Sequence, residues 1–154
     1  QLITLRQELE QLRNYIRLQQ FQHPNALEVV WQVDEELMPC AIIKLSVQPL
    51  VENAIKHAIV GDRTLTLRVE ASLEDECVLL RVCDDGAGIA PETLEGIQAE
   101  LKAPAISGLR HLGLMNVHLR YRLLFGERYG LDIESMQGSH TVLTLRLPCI
   151  RDLG

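Results

Sequence analysis

The chain has 154 residues, which is the size of a single domain. Its 15 Lys and Arg against 21 Asp and Glu give a net charge of −6, which excludes nucleic acid or an anionic membrane as the main partner, because either needs a basic face. An apolar content of 47% supports a hydrophobic core and excludes general disorder. The first residue is Gln rather than Met, which indicates a piece of a longer protein, and four cysteines without a CxxC pair indicate reduced thiols in a cytosolic domain.

The first half of the chain predicts a helix, a strand and a second helix. Leucine or isoleucine recurs at steps of three and four in the first helix, which we expect to be the end of a longer one. The alternation of residues 27–32 predicts a strand, and the period becomes helical again over 46–59. Ser46 is the expected N-cap of this second helix, and Pro49 falls in its first turn. The apolar residues of the first helix are Leu2, Leu5, Leu9, Leu12 and Ile16.

The second half of the chain predicts two hairpins separated by two helices. Alternating apolar residues mark four strands, and Gly or Pro bounds both helices. The strands are expected at 64–73, 78–82, 131–133 and 142–147, and the helices at 91–101 and 113–125. This succession predicts an α+β fold, a two-layer α/β sandwich whose mixed, mostly antiparallel sheet is covered on one face by helices, and not a doubly wound sheet.

Three groups of residues carry the candidate chemistry. The helix at 46–59 places Asn53, Lys56 and His57 on one polar side, where an amide oxygen can ligate Mg²⁺ and an ammonium can neutralise phosphate, although such a side often faces only water. Residues 84–88 (DDGAG) follow an apolar strand, and their glycines permit close approach to a flat ligand, although Asp-Gly is also a common turn. Gly113 opens a helix whose free N–H groups suit a phosphate, although a glycine entering a helix is ordinary.

Together these segments resemble the N box and the two glycine boxes of the ATP-binding domain of sensor histidine kinases, most closely the LytS-type branch. The matching residues are 48–57 (QPLVENAIKH), 84–89 (DDGAGI) and 113–117 (GLMNV). The resemblance extends over nearly the whole chain and implies the Bergerat ATP-binding fold of the histidine kinase and gyrase class. It also implies a division into a helical dimerisation or linker segment (1–22), an ATP-binding catalytic domain (23–150) and a tail (151–154).

The resemblance implies a role for each matching residue. Asn53 would ligate the Mg²⁺ that bridges the ATP phosphates, and Lys56 and His57 would contact the phosphate chain. Asp84 would accept a hydrogen bond from the adenine amino group, and residues 90–112 would form an ATP lid that is mobile without nucleotide. The other implied ATP-binding residues are Gly86, Gly88 and Ile89 of the first glycine box, Gly113, Leu114 and Asn116 of the second, and Thr141 near the base.

The implied activity is that of a bacterial two-component sensor kinase, a transferase that passes the γ-phosphate of ATP to a histidine. The acceptor histidine would lie on an upstream helical dimerisation domain outside this chain, and a response regulator receiver domain would take the phosphate next. The parent protein is expected to be a homodimer anchored in the inner membrane, with this part in the cytoplasm. Because no histidine here has a context like that of the acceptor, we expect the chain to bind Mg-ATP without autophosphorylating.

Two other functions stay open on the sequence. ATPases of the same fold resemble one another in placing a Glu one helical turn before the Mg-binding Asn, but Pro49 stands there in this chain, which disfavours hydrolysis. The chain also departs from the branch at three places. Asp85 stands for the usual Asn, His140 for a Gly, and residues 110–112 (RHL) for doubled glycines. These departures leave the alternative of a nucleotide-binding regulatory or dimer-partner module with weak or no catalysis.

Overall fold

A computed structural model describes residues 1–58, 63–103 and 112–151, without the side chains of His57, Ala58 and Leu112. The first part of the chain alternates single strands with helices, and the rest contains two hairpins separated by two helices. The elements are β1 (Leu2–Thr4), α1 (Leu5–Gln22), β2 (Leu27–Val33), a 3₁₀ turn (Glu35–Leu37), β3 (Ala41–Ile43), α2 (Gln48–Ala58), β4 (Leu65–Glu74), β5 (Cys77–Asp84), α3 (Pro91–Lys102), α4 (Leu112–Phe125), β6 (Gly130–Met136) and β7 (His140–Pro148).

The main sheet has five strands in the order β2-β4-β5-β7-β6. Strand β2 runs parallel to β4, and every other neighbouring pair is antiparallel. Both predicted hairpins are present, and the turn between β4 and β5 places Asp75 and Glu76 at positive φ. The predicted mixed, mostly antiparallel sheet is therefore confirmed.

The core lies on one face of this sheet, under the helices. Alternate residues of the strands are buried there, as in Leu67, Val69 and Ala71 of β4, because successive side chains of a strand point to opposite faces. All four helices add buried apolar side chains to the same cluster. The two-layer arrangement predicted from the sequence is confirmed. Among the described helices, none combines the length and apolar character that crossing a bilayer requires.

The prediction that the first helix includes Leu2 is wrong. Leu2 lies in β1, which pairs antiparallel with β3 opposite Ile43, and the helix begins at Leu5. The physical reason is a capping box. The Thr4 hydroxyl accepts a hydrogen bond from the backbone N–H of Gln7 at 3.1 Å, and the side-chain oxygen of Gln7 accepts one from the backbone N–H of Thr4 at 3.0 Å.

The prediction that Ser46 caps the second helix is also wrong, since the helix begins at Gln48. The Ser46 hydroxyl donates instead to the Ile43 carbonyl. The carboxylate of Glu8, on α1, accepts the backbone N–H of Leu45 at 3.0 Å and that of Val47 at 2.8 Å. A carboxylate is favourable at a helix N-terminus because the free N–H groups there carry partial positive charge. The cap of α2 is therefore supplied by another helix.

Strand β6 is an edge of the sheet, and side chains from two helices cover its outer side. His118 of α4 accepts the Leu131 N–H at Nδ1, 2.9 Å away, and Nε2 lies 2.7 Å from the carbonyl of Leu101 in α3. Gln98 donates to the Ile133 carbonyl at 3.0 Å. His118 is thus neutral, with its proton on Nε2. These bonds satisfy edge groups that would otherwise be open to pairing with another strand.

We expect the stability of the domain to fall as the pH drops below about 6.5, because burial lowers the pKa of His118 from its usual value. In that range the unfolded chain takes up a proton that folded His118 resists, so the contribution is complete above the unfolded pKa and is lost in acid. Urea unfolding at several pH values, compared between the wild type and His118→Gln, measures this. An equal pH slope in both proteins would contradict the assignment.

Candidate nucleotide site

Helix α2 presents the first group of predicted site residues. Its apolar side is buried, as in Leu50, Val51 and Ala54, so the polar side turns away from the core. On that side the side chain of Asn53 is half-buried and that of Lys56 is exposed. The predicted contact of His57 concerns a side chain outside the described part of the structure.

A cavity of about 280 Å³ lies between α2, the glycine turn after β5, α3, α4 and β6. Its walls are mainly apolar, and the Asn53 amide and the Thr93 hydroxyl are polar groups among the lining residues, a pattern typical of small-molecule sites. The cavity brings together four predicted residues from three separate motifs. The lining residues are Asn53, Gly88, Ile89, Ala90, Thr93, Ile97, Leu114 and Ile133.

Asp84 ends β5 just before the glycine turn, and its side chain is nearly buried, with the residue 6% exposed. One carboxylate oxygen, Oδ1, accepts the Gly86 N–H at 2.9 Å. Burial raises the pKa of Asp84 above its usual value and the Asp85 charge adds to this, while the Gly86 N–H and His140 act in the opposite direction. Asp84 pairs in register with Thr141 of β7, so the sheet brings these two predicted residues side by side.

Asp85 has side-chain contacts of its own near the start of β4. Its Oδ1 accepts the Thr66 N–H at 2.8 Å and lies 3.7 Å from the Arg63 guanidinium. The side chain is half exposed, so the charge is solvated. Asp85 thus links the end of β5 to the start of β4.

Gly88 is required by a close backbone contact. Its φ is +69°, and a Cβ built there would lie 2.1 Å from the carbonyl oxygen of Met136. The Gly138 N–H donates to the Ala87 carbonyl at 2.6 Å, so the glycine turn packs directly on the β6–β7 hairpin. The described structure therefore accounts for this glycine through the hairpin, whereas the sequence suggested contact with a base.

Ser135 is a residue of the site that the sequence did not indicate. Its hydroxyl accepts the Ile89 N–H at 2.9 Å and donates to the His140 carbonyl at 2.8 Å. Since that uses its one proton, the Thr141 hydroxyl at 2.8 Å is the donor in the third bond. Ser135 thus joins the glycine turn to β7. In the sequence it was one polar residue in an alternating strand, which carries no distinguishing signal.

Besides His57, whose side chain lies outside the described structure, six predicted site residues do not line the cavity: Lys56, Asp84, Gly86, Gly113, Asn116 and Thr141. Gly113 and Asn116 of α4 are exposed, and a Cβ on Gly113 would meet nothing within 4 Å among the described atoms. The helix begins one residue earlier, at Leu112. The lid expected over 90–112 is partly the helix α3, which buries Ile97 and Leu101 in the core, and residues 104–111 lie outside the described ranges.

A second cleft, of about 550 Å³, lies at the other end of α3 and α4 along β6. Basic residues such as Arg81 and Arg146 and acidic residues such as Asp132 and Glu134 line it together. It contains no predicted site residue. In the described parts of the chain, moreover, no group of three His, Cys, Asp or Glu side chains is arranged to hold a metal. The smaller cavity is therefore the candidate site.

The fold is a two-layer α+β domain, and its cavity lies between the helices and the glycine turn. Residues 42–151 match the family described as Histidine kinase-, DNA gyrase B-, and HSP90-like ATPase. This match covers more than half of the chain, and the chain belongs to that family.

Sensor kinases are among the relatives of the chain. It is 34% identical over 149 residues to the sensor histidine kinase YesM of Bacillus subtilis and 38% identical over 141 residues to YpdA of Escherichia coli. The sensor protein LytS of Staphylococcus epidermidis is 32% identical over 144 residues. These matches cover 96%, 88% and 93% of the chain but 24%, 23% and 24% of the relatives. The chain therefore spans about a quarter of their length.

Solved structures agree on the fold. The histidine kinase AdeS of Acinetobacter baumannii has a TM-score of 0.66 at 17% identity, over 97% of this chain and 66% of that one. The catalytic domain of the histidine kinase ThkA also has a TM-score of 0.66 at 17% identity, over 99% and 98% of the two chains. At 17% identity these structures support the fold alone. The family match and the relatives place the chain among the ATP-binding domains of sensor histidine kinases, and the LytS-type resemblance is confirmed.

Proposed function

We propose that the 280 Å³ cavity is where ATP binds and that the chain transfers the γ-phosphate to a histidine outside it. The observation that carries this proposal is the convergence of Asn53, of Gly88 and Ile89, and of Leu114 on one cavity. These residues come from three motifs separated by up to 61 positions, counted as 114 − 53. Packing of the core alone does not require an asparagine among these mainly apolar residues.

The proposed roles follow from the donor and acceptor chemistry of the side chains. We assign the amide oxygen of Asn53 to a Mg²⁺ ion shared with the phosphates, since Mg²⁺ prefers oxygen ligands. The ion would neutralise phosphate charge during transfer. Lys56 and His57 are assigned to the phosphates, with Gly113 and Asn116 at the start of α4.

The adenine end of the proposed site lies at the glycine turn. We assign Oδ2 of Asp84 to the adenine amino group, because the Gly86 N–H occupies Oδ1. That bond restrains the carboxylate, which reduces the ordering required when it accepts a donor. Thr141, the register partner of Asp84, is assigned to the same edge of the base.

Transfer is favoured over hydrolysis by the residues around Asn53. Hydrolysis requires a base that activates water, and Pro49, one helical turn before Asn53, has no titratable group. Glu52 is exposed and accepts a hydrogen bond from the Gln48 side chain at 2.9 Å, so it is directed along the outside of α2. Phosphoryl transfer depends mainly on positioning and charge neutralisation and can take its base from the acceptor.

The parent protein is proposed by analogy with the relatives named above. Its partners would be its own upstream helical dimerisation and phosphoacceptor domain, in a homodimer, and the receiver domain of a response regulator. Residues 1–22 would belong to the helical part, 23–150 to the catalytic domain and 151–154 to a tail. The parent would be anchored in the bacterial inner membrane with this domain in the cytoplasm.

The chain alone is expected to bind ATP in a magnesium-dependent way and to incorporate no phosphate. Calorimetric titration with the non-hydrolysable analogue AMP-PNP, with Mg²⁺ or with EDTA, measures the first property. Incubation with γ-labelled ATP, followed by gel autoradiography, measures the second. Absence of binding at millimolar nucleotide would contradict the ATP site and favour a regulatory module. Labelling of the chain itself would contradict the assignment of the acceptor histidine to another segment.

A further inference from the structure

The loop between β3 and α2, residues 44–47, is held by side chains from two other helices. From α1, the carboxylate of Glu8 accepts the N–H groups of Leu45 and Val47. Glu8 is only 1% exposed, and burying a carboxylate is costly unless hydrogen bonds compensate it. The two amides give such compensation at the N-terminal end of α2. Glu8 is therefore placed to define where this helix starts.

Helix α4 holds the same loop from the other side. The Arg120 guanidinium donates to the carbonyls of Lys44 and Leu45 at 2.8 and 2.7 Å. The hydroxyl of Tyr121 accepts the Ile43 N–H at 3.0 Å and lies 2.5 Å from the Ser46 hydroxyl. Loop 44–47 is thus a junction of α1, α2 and α4.

Leu45 shows that the junction constrains the backbone. Its φ is +61°, a left-handed conformation that is unfavourable for a leucine and persists only where the surroundings impose it. Glu8 accepts from its N–H and Arg120 donates to its carbonyl. Both backbone polar groups of Leu45 are therefore hydrogen-bonded to side chains of other elements, the N–H to α1 and the carbonyl to α4.

We propose that Glu8 is a positioning residue that couples helix α1 to the nucleotide site. The inference rests on the proposed function, because α2 carries Asn53 and α4 carries Leu114, and both residues line the cavity. Glu8 sets the start of α2 and, through loop 44–47, its position relative to α4. A displacement of α1 therefore changes the separation of the two walls of the cavity, and nucleotide binding in turn favours one position of α1, since coupling between sites is reciprocal.

The test compares substitutions in α1 that differ in contact with the loop. Glu8→Ala removes both bonds, and Glu8→Gln keeps one acceptor oxygen. Leu12→Ala is the matched control, because Leu12 is fully buried in the same helix and is not a partner in the hydrogen bonds of the junction. Urea unfolding establishes conditions in which every variant is folded. Under those conditions each variant is titrated with Mg-AMP-PNP, and its hydrogen exchange is measured without nucleotide.

We expect Glu8→Ala to weaken nucleotide binding roughly tenfold, within the range usual for coupled sites, with Glu8→Gln intermediate and Leu12→Ala within about twofold of wild type. Exchange should accelerate at Leu45 and Val47 and in the first turns of α2 and α4 in the Glu8 variants only. Equal affinity and equal exchange in Glu8→Gln and Leu12→Ala would overturn the inference. If the wild type binds no nucleotide, the proposed function fails and the coupling to a nucleotide site fails with it, while faster exchange in the Glu8 variants would still show that Glu8 positions loop 44–47 and the start of α2.

Discussion

Replacing Asn53 by alanine is expected to remove the magnesium-dependent part of ATP binding. Asn53 is half-buried at the wall of the cavity, and its amide oxygen is the group that we assign to the ion. Loss of one such polar partner costs about 1–3 kcal/mol, which corresponds to roughly 5- to 150-fold in affinity. Titration with AMP-PNP in Mg²⁺ and in EDTA should show a large difference for the wild type and almost none for Asn53→Ala.

The matched control for this experiment is Asn14→Ala. Asn14 is an exposed asparagine on α1, so the substitution is chemically identical and lies outside the cavity. It should leave both titrations unchanged. If Asn53→Ala keeps the full magnesium effect, the metal assignment is wrong even if ATP binds in the cavity.

Much of the fold could be predicted because its signals are local. The alternation in β4 and the helical period of α2 follow from which side of each element is buried, and both are readable within ten residues. Strands β1 and β3 were missed because three residues are too few to display a period. The cap of α2 was missed because Glu8 lies about 40 positions before the backbone N–H groups from which it accepts hydrogen bonds. No local sequence pattern indicates such a contact.

The residues of the site also divide into those that a local motif indicated and those that only the tertiary packing brought together. Asn53 and the residues of the glycine turn were found because each stands inside a short contiguous motif. Ser135, Thr93 and Ile133 were not found, since each became part of the site only when β6 and α3 packed beside the glycine turn. Gly88 was found for one reason and is explained by another, the close approach of the Met136 carbonyl. A motif therefore indicated the position, and the tertiary contact supplied the cause.

Asp84→Asn is expected to weaken ATP binding and to reduce the preference for ATP over GTP. The carboxylate accepts the adenine amino group in our assignment, whereas guanine presents a carbonyl oxygen at the equivalent position. The amide of Asp84→Asn can place its NH₂ group toward the base. That donor would oppose the amino group of adenine and could bond to the carbonyl oxygen of guanine. The expected loss for ATP is about 1–3 kcal/mol, because a buried polar group is left without its partner. Competition titrations with ATP and GTP give both affinities.

The neighbouring Asp85→Asn provides the control for charge. It removes the same charge one residue away, and the remaining amide oxygen still accepts the Thr66 N–H that Asp85 accepts in the wild type. We expect it to change ATP affinity by less than about twofold, as is usual for a half-exposed surface group. Equal losses in the two variants would show that charge near the turn, and not an acceptor at position 84, governs recognition of the base.

The ATP affinity of the wild type should also depend on pH. Because burial raises the pKa of Asp84, this affinity should begin to fall at a higher pH than for an ordinary aspartate as the solution is acidified. Asp84→Asn should lack this fall.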